Sequence, residues 1–262
     1  MLLAIDAGNT NIVFALFEGE RELGFWRLAT QRARDADEFA AMLLPLMHEA
    51  AIAIGAIDGA VIGSVVPTAT GALKALYRTV LGVEPVVLGE NAVLGIGIDV
   101  EEPRVVGADR LANAVAAHAA FGGPTLSVDF GTATKFDRVS ADGVFQGGVI
   151  ALGINLSIAA LHRASAALPR AAVVRPPRVI GRSTEGALQS GLYWGYASMV
   201  EGVLKRIAAE LGQAPRVIAT GGLAPVLAQA VPAIHAVVPD LTVRGLALVH
   251  ARTLAAQGGA GR

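Results

Sequence analysis

A chain of 262 residues is long enough for two lobes that each bury a core, and its 21 Lys and Arg against 22 Asp and Glu leave no electrostatic footprint for nucleic acid or an anionic membrane. The absence of cysteine excludes disulfides, thiolate catalysis and cysteine-held zinc, and suits a reducing cytosol. Small molecules or other protein chains remain as partners.

The first forty residues predict three strands in a row, LLAID, IVFALFEG and ELGFWRLAT, joined by turns carrying Gly8, Asn9 and Gly19. ADEFAAMLLPLMHEAA follows with apolar residues at helical spacing, Asp35 or Asp37 near its start, and Pro45 as a kink or break. Next come the strand GAVIGSVV, a helix from about Thr68 to Leu81, the strand EPVVLG and a connecting helix in GADRLANAVAAHAAFGG. The second half repeats the order with TLSVDF, TKFDRVSA and FQGGVIALG, the last two joined by a hairpin at SADG. Helices are expected at NLSIAALHRASAAL and at TEGALQSGLYWGYASMVEGVLKRIAAELG, the latter ending on Gly212. PRVIATGG reads as strand and turn, a further helix follows, GLALVHARTLAAQ closes the chain as helix, and the tail GGAGR frays.

A hydrophobic fraction of 53% raises the question of a membrane span. The longest uncharged run, Val217 to Pro239, is broken by Gly221, Gly222, Pro225, Pro232 and Pro239, and so predicts a buried strand, a turn and a short helix. MLLAI before Asp6 is too short for a signal-peptide core. The expectation is a soluble, cytoplasmic protein whose apolar excess marks a further buried surface, such as a subunit interface. The five histidines lack paired ligand spacing and receive no role.

Asp6 and Asp129 head two similar phrases, LLAIDAGNTNIVF and TLSVDFGTATKFD, each within the same order of elements. This predicts duplicated lobes, 1–115 and 116–262, with a cleft between them. Matching the phrases sets Thr134 against Asn11 and Lys135 against Ile12.

DAGNTN after a buried strand offers a tight turn, side chains that hydrogen-bond an anion, and backbone N–H groups able to face a phosphate; Asp6 suits a divalent cation or its water shell. A plain hairpin turn is the structural alternative. DFGTAT repeats the arrangement with Asp129 and the hydroxyls of Thr132 and Thr134, and the glycines of ATGGLA let backbone lie close to a flat group such as a nucleoside. In GADR, Asp109 caps or complements a helix N-terminus, or serves as general base for a hydroxyl beside Arg110 as an anion grip.

The ordered set DAGNTN, SVVP (64–67), VGADRLANAVAA, DFGTAT, GGVI, LP (168–169), STEGALQSG (183–191), TGG and DLT.RGL resembles the sugar kinase, Hsp70 and actin superfamily and, within it, type III pantothenate kinase. The match runs from the first strand to residue 246. The resemblance implies an α/β fold of two duplicated ribonuclease H-like (actin-like ATPase) lobes with the active-site cleft between them. It implies transfer of the ATP γ-phosphate to the 4′-hydroxyl of pantothenate, at the start of coenzyme A synthesis. Asp6, Ala7, Gly8, Asn9, Thr10, Asn11, Ile12 and Val13 would bind ATP, with magnesium near Asp6, directly or through water. Gly131, Thr132 and Thr134 would also bind ATP, Thr132 by touching nucleotide phosphate, and Gly221 and Gly222 would border the nucleoside. Val100, Gly107, Ala108, Asp109 and Arg110 would contact pantothenate, with Asp109 as proton acceptor. Asp129 would hold a monovalent cation, potassium or ammonium, and Thr184 would reach substrate from the neighbouring subunit of a homodimer.

Three residues depart from the family pattern: Val100 where tyrosine is common, Leu152 where proline is common, and Lys135 where threonine is usual. For Lys135 three accounts stand: a solvated ammonium on a strand neighbour, an ammonium that meets ATP phosphate or Asp129 in place of the recruited cation, or impairment. The rival readings are a catalytically weak accessory or regulatory relative, and a superfamily kinase for another small hydroxylated acid.

Overall fold

The computed structural model describes residues 1–31, 33–164 and 171–259. The chain divides into two compact units, Met1–Ala116 with Leu241–Arg262, and Ala117–Asp240.

In the first unit, strands β1 (Leu2–Ala7), β2 (Asn11–Glu18) and β3 (Arg21–Ala29) form an antiparallel meander, and β4 (Gly59–Ser64) and β5 (Val86–Val87) extend it in parallel, giving the order β3-β2-β1-β4-β5. β1, β2 and β4 lie in the middle of the sheet and read as apolar runs because both faces are covered. One face packs Leu3, Ile5, Ile12 and Phe14 against helices α1 (Ala36–Glu49) and α2 (Pro67–Ala75), through Phe39, Leu43 and Leu73. The other packs Ala4, Val13, Ala15 and Phe17 against α3 (Ala108–Phe121) and α8 (Leu241–Gly259), through Ala112, Val115, Val243, Leu246 and Val249.

Helix α1 begins with a capping box. Asp35 Oδ1 accepts from the Glu38 N–H at 2.9 Å and Glu38 Oε2 accepts from the Asp35 N–H at 3.0 Å. Pro45 lies inside the helix and does not end it. The helix expected from Thr68 to Leu81 starts one residue earlier and widens to π-type turns at Leu76–Leu81 before Gly82 stops it.

A two-residue strand β6 (Gly97–Ile98) precedes α3. In the second unit, β7 (Thr125–Phe130), β8 (Ala133–Val139) and β9 (Val144–Leu152) form another antiparallel meander, with β10 (Arg216–Thr220) and β11 (Ala236–Val237) parallel beyond β7. For the strands β7 to β11 the order β9-β8-β7-β10-β11 reproduces that of the first sheet, which is the topological mark of the expected duplication. Leu126, Val128, Phe130 and Phe136 pack on one face against α6 (Tyr196–Leu211) and α7 (Ala224–Leu227). Helices α4 (Ile154–Ala164) and α5 (Thr184–Ser190) lie between β9 and α6 in sequence.

The division expected from sequence, 1–115 and 116–262, put the closing helix in the second lobe. The compact units instead group α8 with the first, because its apolar residues are buried with those of β1 and β4. The uncharged run from Val217 to Pro239 is the strand β10, the short helix α7 and the strand β11. Among the described residues no helix is long and apolar enough to cross a membrane. The LP motif at 168–169, the end of the helix expected in NLSIAALHRASAAL and the last three residues of the GGAGR tail lie outside the described residues.

Candidate active site

In the first unit, Asp6 is the penultimate residue of β1, beside Gly63 of β4 and opposite Val13 of β2. The chain then turns tightly, the Gly8 N–H donating to the Asn11 carbonyl at 2.9 Å, and exposes Asn9, Thr10 and Asn11. Ala7, Ile12 and Val13 are buried in the core and shape the turn from beneath. Thr30, which sequence reasoning passed over, clamps the turn from outside: its hydroxyl donates to the Gly8 carbonyl at 2.7 Å and its N–H to the Thr10 carbonyl at 2.9 Å.

The SVVP segment joins this turn to the start of α3. The Val65 N–H donates to the Ala7 carbonyl at 3.0 Å, and a Cβ at Gly107 would lie 3.3 Å from Val65 Cγ1. That same Cβ would meet Asp109 Oδ1 at 2.6 Å, so a glycine at 107 is what lets the Asp109 carboxylate fold back over the backbone. Oδ1 also accepts the Arg110 N–H at 2.9 Å, which fixes the carboxylate at the positive end of α3. Asp6, the Gly8–Asn11 turn and Asp109 thus gather at one edge of the first sheet, where β1 and β4 end. Ala108 is buried, Arg110 is half-buried, and Val100 lies half-buried ahead of the turn Pro103–Val105.

In the second unit, Asp129 stands beside Thr220 of β10 and opposite Lys135 of β8. Lys135 Nζ lies 2.8 Å from Asp129 Oδ2, with each side chain 13% exposed. Gly221 follows Thr220 with a φ of 89°, and a Cβ there would lie 2.7 Å from the Phe130 carbonyl and 2.8 Å from Asp129 Oδ1. The TGG and DFGT turns therefore pack backbone to backbone around the Asp129 carboxylate. Gly131 closes the hairpin, its N–H donating to the Ala133 carbonyl at 3.2 Å, with Thr132 exposed at the tip and Gly222 exposed beside Gly221.

Thr134 departs from its expected place. It is 1% exposed and, as strand alternation requires, faces away from Asp129 and Lys135. Its hydroxyl lies 2.9 Å from the Tyr196 hydroxyl, which itself donates to the Leu152 carbonyl, so Thr134 is the donor of that pair. Burial raises the Tyr196 pKa above the ordinary phenol value, with the Thr134 hydrogen bond acting in the opposite sense. Thr184 is exposed in the first turn of α5, after Ser183, whose Oγ accepts the Gly186 N–H at 3.1 Å.

The register also corrects the match between the two phrases. Asp6 opposes Val13 and Asp129 opposes Lys135, so the counterpart of Lys135 is Val13, not Ile12. The first turn is one residue longer, closing from Gly8 to Asn11 where the second closes from Gly131 to Ala133.

Comparison with known proteins identifies the family of the chain. A sequence model of type III pantothenate kinase matches residues 2–206. The type III pantothenate kinase of Phenylobacterium zucineum is 52% identical over 246 residues, which is 94% of this chain and 96% of that one. The chain belongs to the type III pantothenate kinase family. Solved structures carry the same fold at low identity. A Campylobacter jejuni protein described as a Baf family transcriptional activator aligns with a TM-score of 0.61 at 18% identity, over 97% of this chain and 100% of that one. A Sinorhizobium meliloti protein described as a 2-dehydro-3-deoxygalactonokinase aligns at 0.60 and 16% identity, over 97% of each chain. These likenesses show that the two-sheet α/β fold of this chain recurs in those proteins.

Among the described residues no group of three or more His, Asp or Glu could hold a metal ion. A divalent ion at Asp6 would have one protein carboxylate, which fits magnesium bound chiefly through nucleotide phosphates and water. A monovalent ion at Asp129 fits poorly, because an ammonium group already stands against one of its oxygens.

Proposed function

We propose that this protein phosphorylates pantothenate with ATP to give 4′-phosphopantothenate, the first step of coenzyme A biosynthesis. The observation that carries this reading is the gathering of a donor-rich turn and Asp109 at one edge of the first sheet, linked through Val65. Phosphoryl transfer asks a protein mainly to position its reactants and to neutralise charge, and such an edge supplies both a phosphate cradle and a base.

In this reading Asp109 accepts the proton of the 4′-hydroxyl as that oxygen attacks the γ-phosphorus, and ADP departs with the electrons of the broken bond. Arg110 holds the pantothenate carboxylate, while Val100, Gly107 and Ala108 border the substrate. Asn9, Thr10, Asn11 and Thr132 donate to phosphates, Gly131 lets the backbone approach them, and Gly221 and Gly222 border the nucleoside. Thr134, with its hydroxyl given to Tyr196, acts by anchoring the turn. Asp6 would hold magnesium, directly or through water, and such an ion would supply charge neutralisation for the phosphates.

The protein acts as a cytoplasmic homodimer in which Thr184 reaches the neighbouring copy's substrate. Support for an interface comes from the apolar side chains left exposed between β9 and α5, including Ile150, Leu152, Leu156, Leu161 and Ile180, the last 81% exposed.

The test is ADP release by the purified chain with ATP and pantothenate. Asp109→Asn is expected to lower turnover by about 100-fold or more, the scale of a general base, with the melting temperature unchanged. Near-normal turnover in that variant would remove the base assignment. Turnover only with other hydroxylated acids would move the substrate, and none with any acceptor would favour an accessory role.

A further inference from the structure

We infer that Lys135 is a tethered resident cation for the Asp129 carboxylate, and that the second turn of this chain works without a soluble potassium or ammonium ion. The inference rests on reading the DFGTAT turn as a nucleotide-phosphate turn.

Lys135 and Asp129 are directly opposed on neighbouring antiparallel strands, so their side chains leave the same face of the sheet. The contact of 2.8 Å between Nζ and Oδ2 is a charge-assisted hydrogen bond, and at 13% exposure for each side chain it is only lightly screened. The second carboxylate oxygen is enclosed by backbone: Cβ atoms at Gly131 and Gly221 would lie 3.3 and 2.8 Å from Oδ1. One oxygen is therefore held by the lysine and the other is walled by two glycines. A soluble cation seeking this carboxylate would meet the lysine's charge at once, and like charges at that spacing repel.

The pair also has a purpose at this position. An acid beside a turn that receives a polyanion repels its ligand unless a cation accompanies it. A lysine supplies that charge permanently, at no cost in translational entropy on each binding event, and its ammonium presents three N–H donors where a free ammonium ion presents four. At the counterpart position in the first unit, Asp6 stands opposite the apolar Val13.

The experiment uses the full-length chain in tetramethylammonium buffer at fixed ionic strength, with potassium or ammonium titrated in. Wild-type turnover is expected to change by less than about two-fold, because a tethered ammonium leaves no site to fill. Lys135→Thr and Lys135→Ala are expected to lose about ten-fold or more in cation-free buffer and to regain it with potassium or ammonium, while Lys135→Arg stays cation-independent. A second readout is independent of turnover: ammonium chloride should raise the melting temperature of Lys135→Thr and leave that of the wild type where tetramethylammonium chloride leaves it. Strong activation of the wild type by potassium overturns the inference without any variant, as does an equal cation response in wild type and Lys135→Thr. If no salt supports turnover with pantothenate, the proposed function fails, and the melting comparison still decides the role of Lys135.

Discussion

Strands β1–β5 and β7–β11 share one order, yet their corresponding faces differ in chemistry. In the first, Ala4 opposes Ala15 and Asp6 opposes Val13; in the second, Ser127 opposes Asp137 and Asp129 opposes Lys135. The first set, Asp6 apart, packs against the apolar residues of α3 and α8. The second keeps Ser127 and Asp137 buried at 2% and 1% exposure, next to the Asp129–Lys135 pair. Strand order thus fixes where an acid stands near the end of a strand, while the register decides whether the residue across the ladder is apolar, as Val13 is, or a lysine.

Three substitutions press on this comparison, beyond those already described. The largest effect is expected from Ala15→Asp, which gives the first sheet the acid of the second. With Ala15 wholly buried against apolar residues, the new carboxylate should cost about 3 to 5 kcal/mol in a denaturant titration. A loss below about 1 kcal/mol would mean that the face is less sealed than its packing indicates.

A smaller effect is expected from Gly221→Ala. The left-handed conformation and the contact with Asp129 Oδ1 should together cost about 1 to 3 kcal/mol, and displacing the carboxylate from Lys135 should weaken ATP binding measured by calorimetry. Unchanged stability and affinity would show that Asp129 does not depend on that close approach. The smallest is expected from Tyr196→Phe, which leaves the buried Thr134 hydroxyl without its acceptor. Thermal unfolding should register a loss of about 1 to 2 kcal/mol. A neutral result would mean that Thr134 turns to another acceptor.

Much of the fold is legible in the sequence. The strands of both meanders announce themselves by apolar runs between Gly- and Asn-bearing turns, and Gly212 marks the end of α6. Asp109 and Gly107 were legible as a pair at a helix start, although the fold of the carboxylate over the glycine was not. Thr30 was missed because a clamp made across a hairpin has no local signature; only the pairing of β2 with β3 brings it to the Gly8 turn. Thr134 was assigned to phosphate by its motif, whereas the alternation of β8 turns it to Tyr196. Pro45 was expected to kink or break its helix, yet α1 continues past it to Glu49, with Phe39, Leu43 and Met47 buried in the core.

The sequence by itself determined the duplicated order of elements, the two acid-headed turns and the membership in a kinase family, because periodicity, turn residues and ordered motifs are local properties of the chain. Tertiary structure alone decided that α8 belongs with the first unit, that Lys135 corresponds to Val13, and that its ammonium meets Asp129. The reason is physical. Ladder register depends on turn length, here different by one residue, and a one-residue slip sends every side chain to the opposite face.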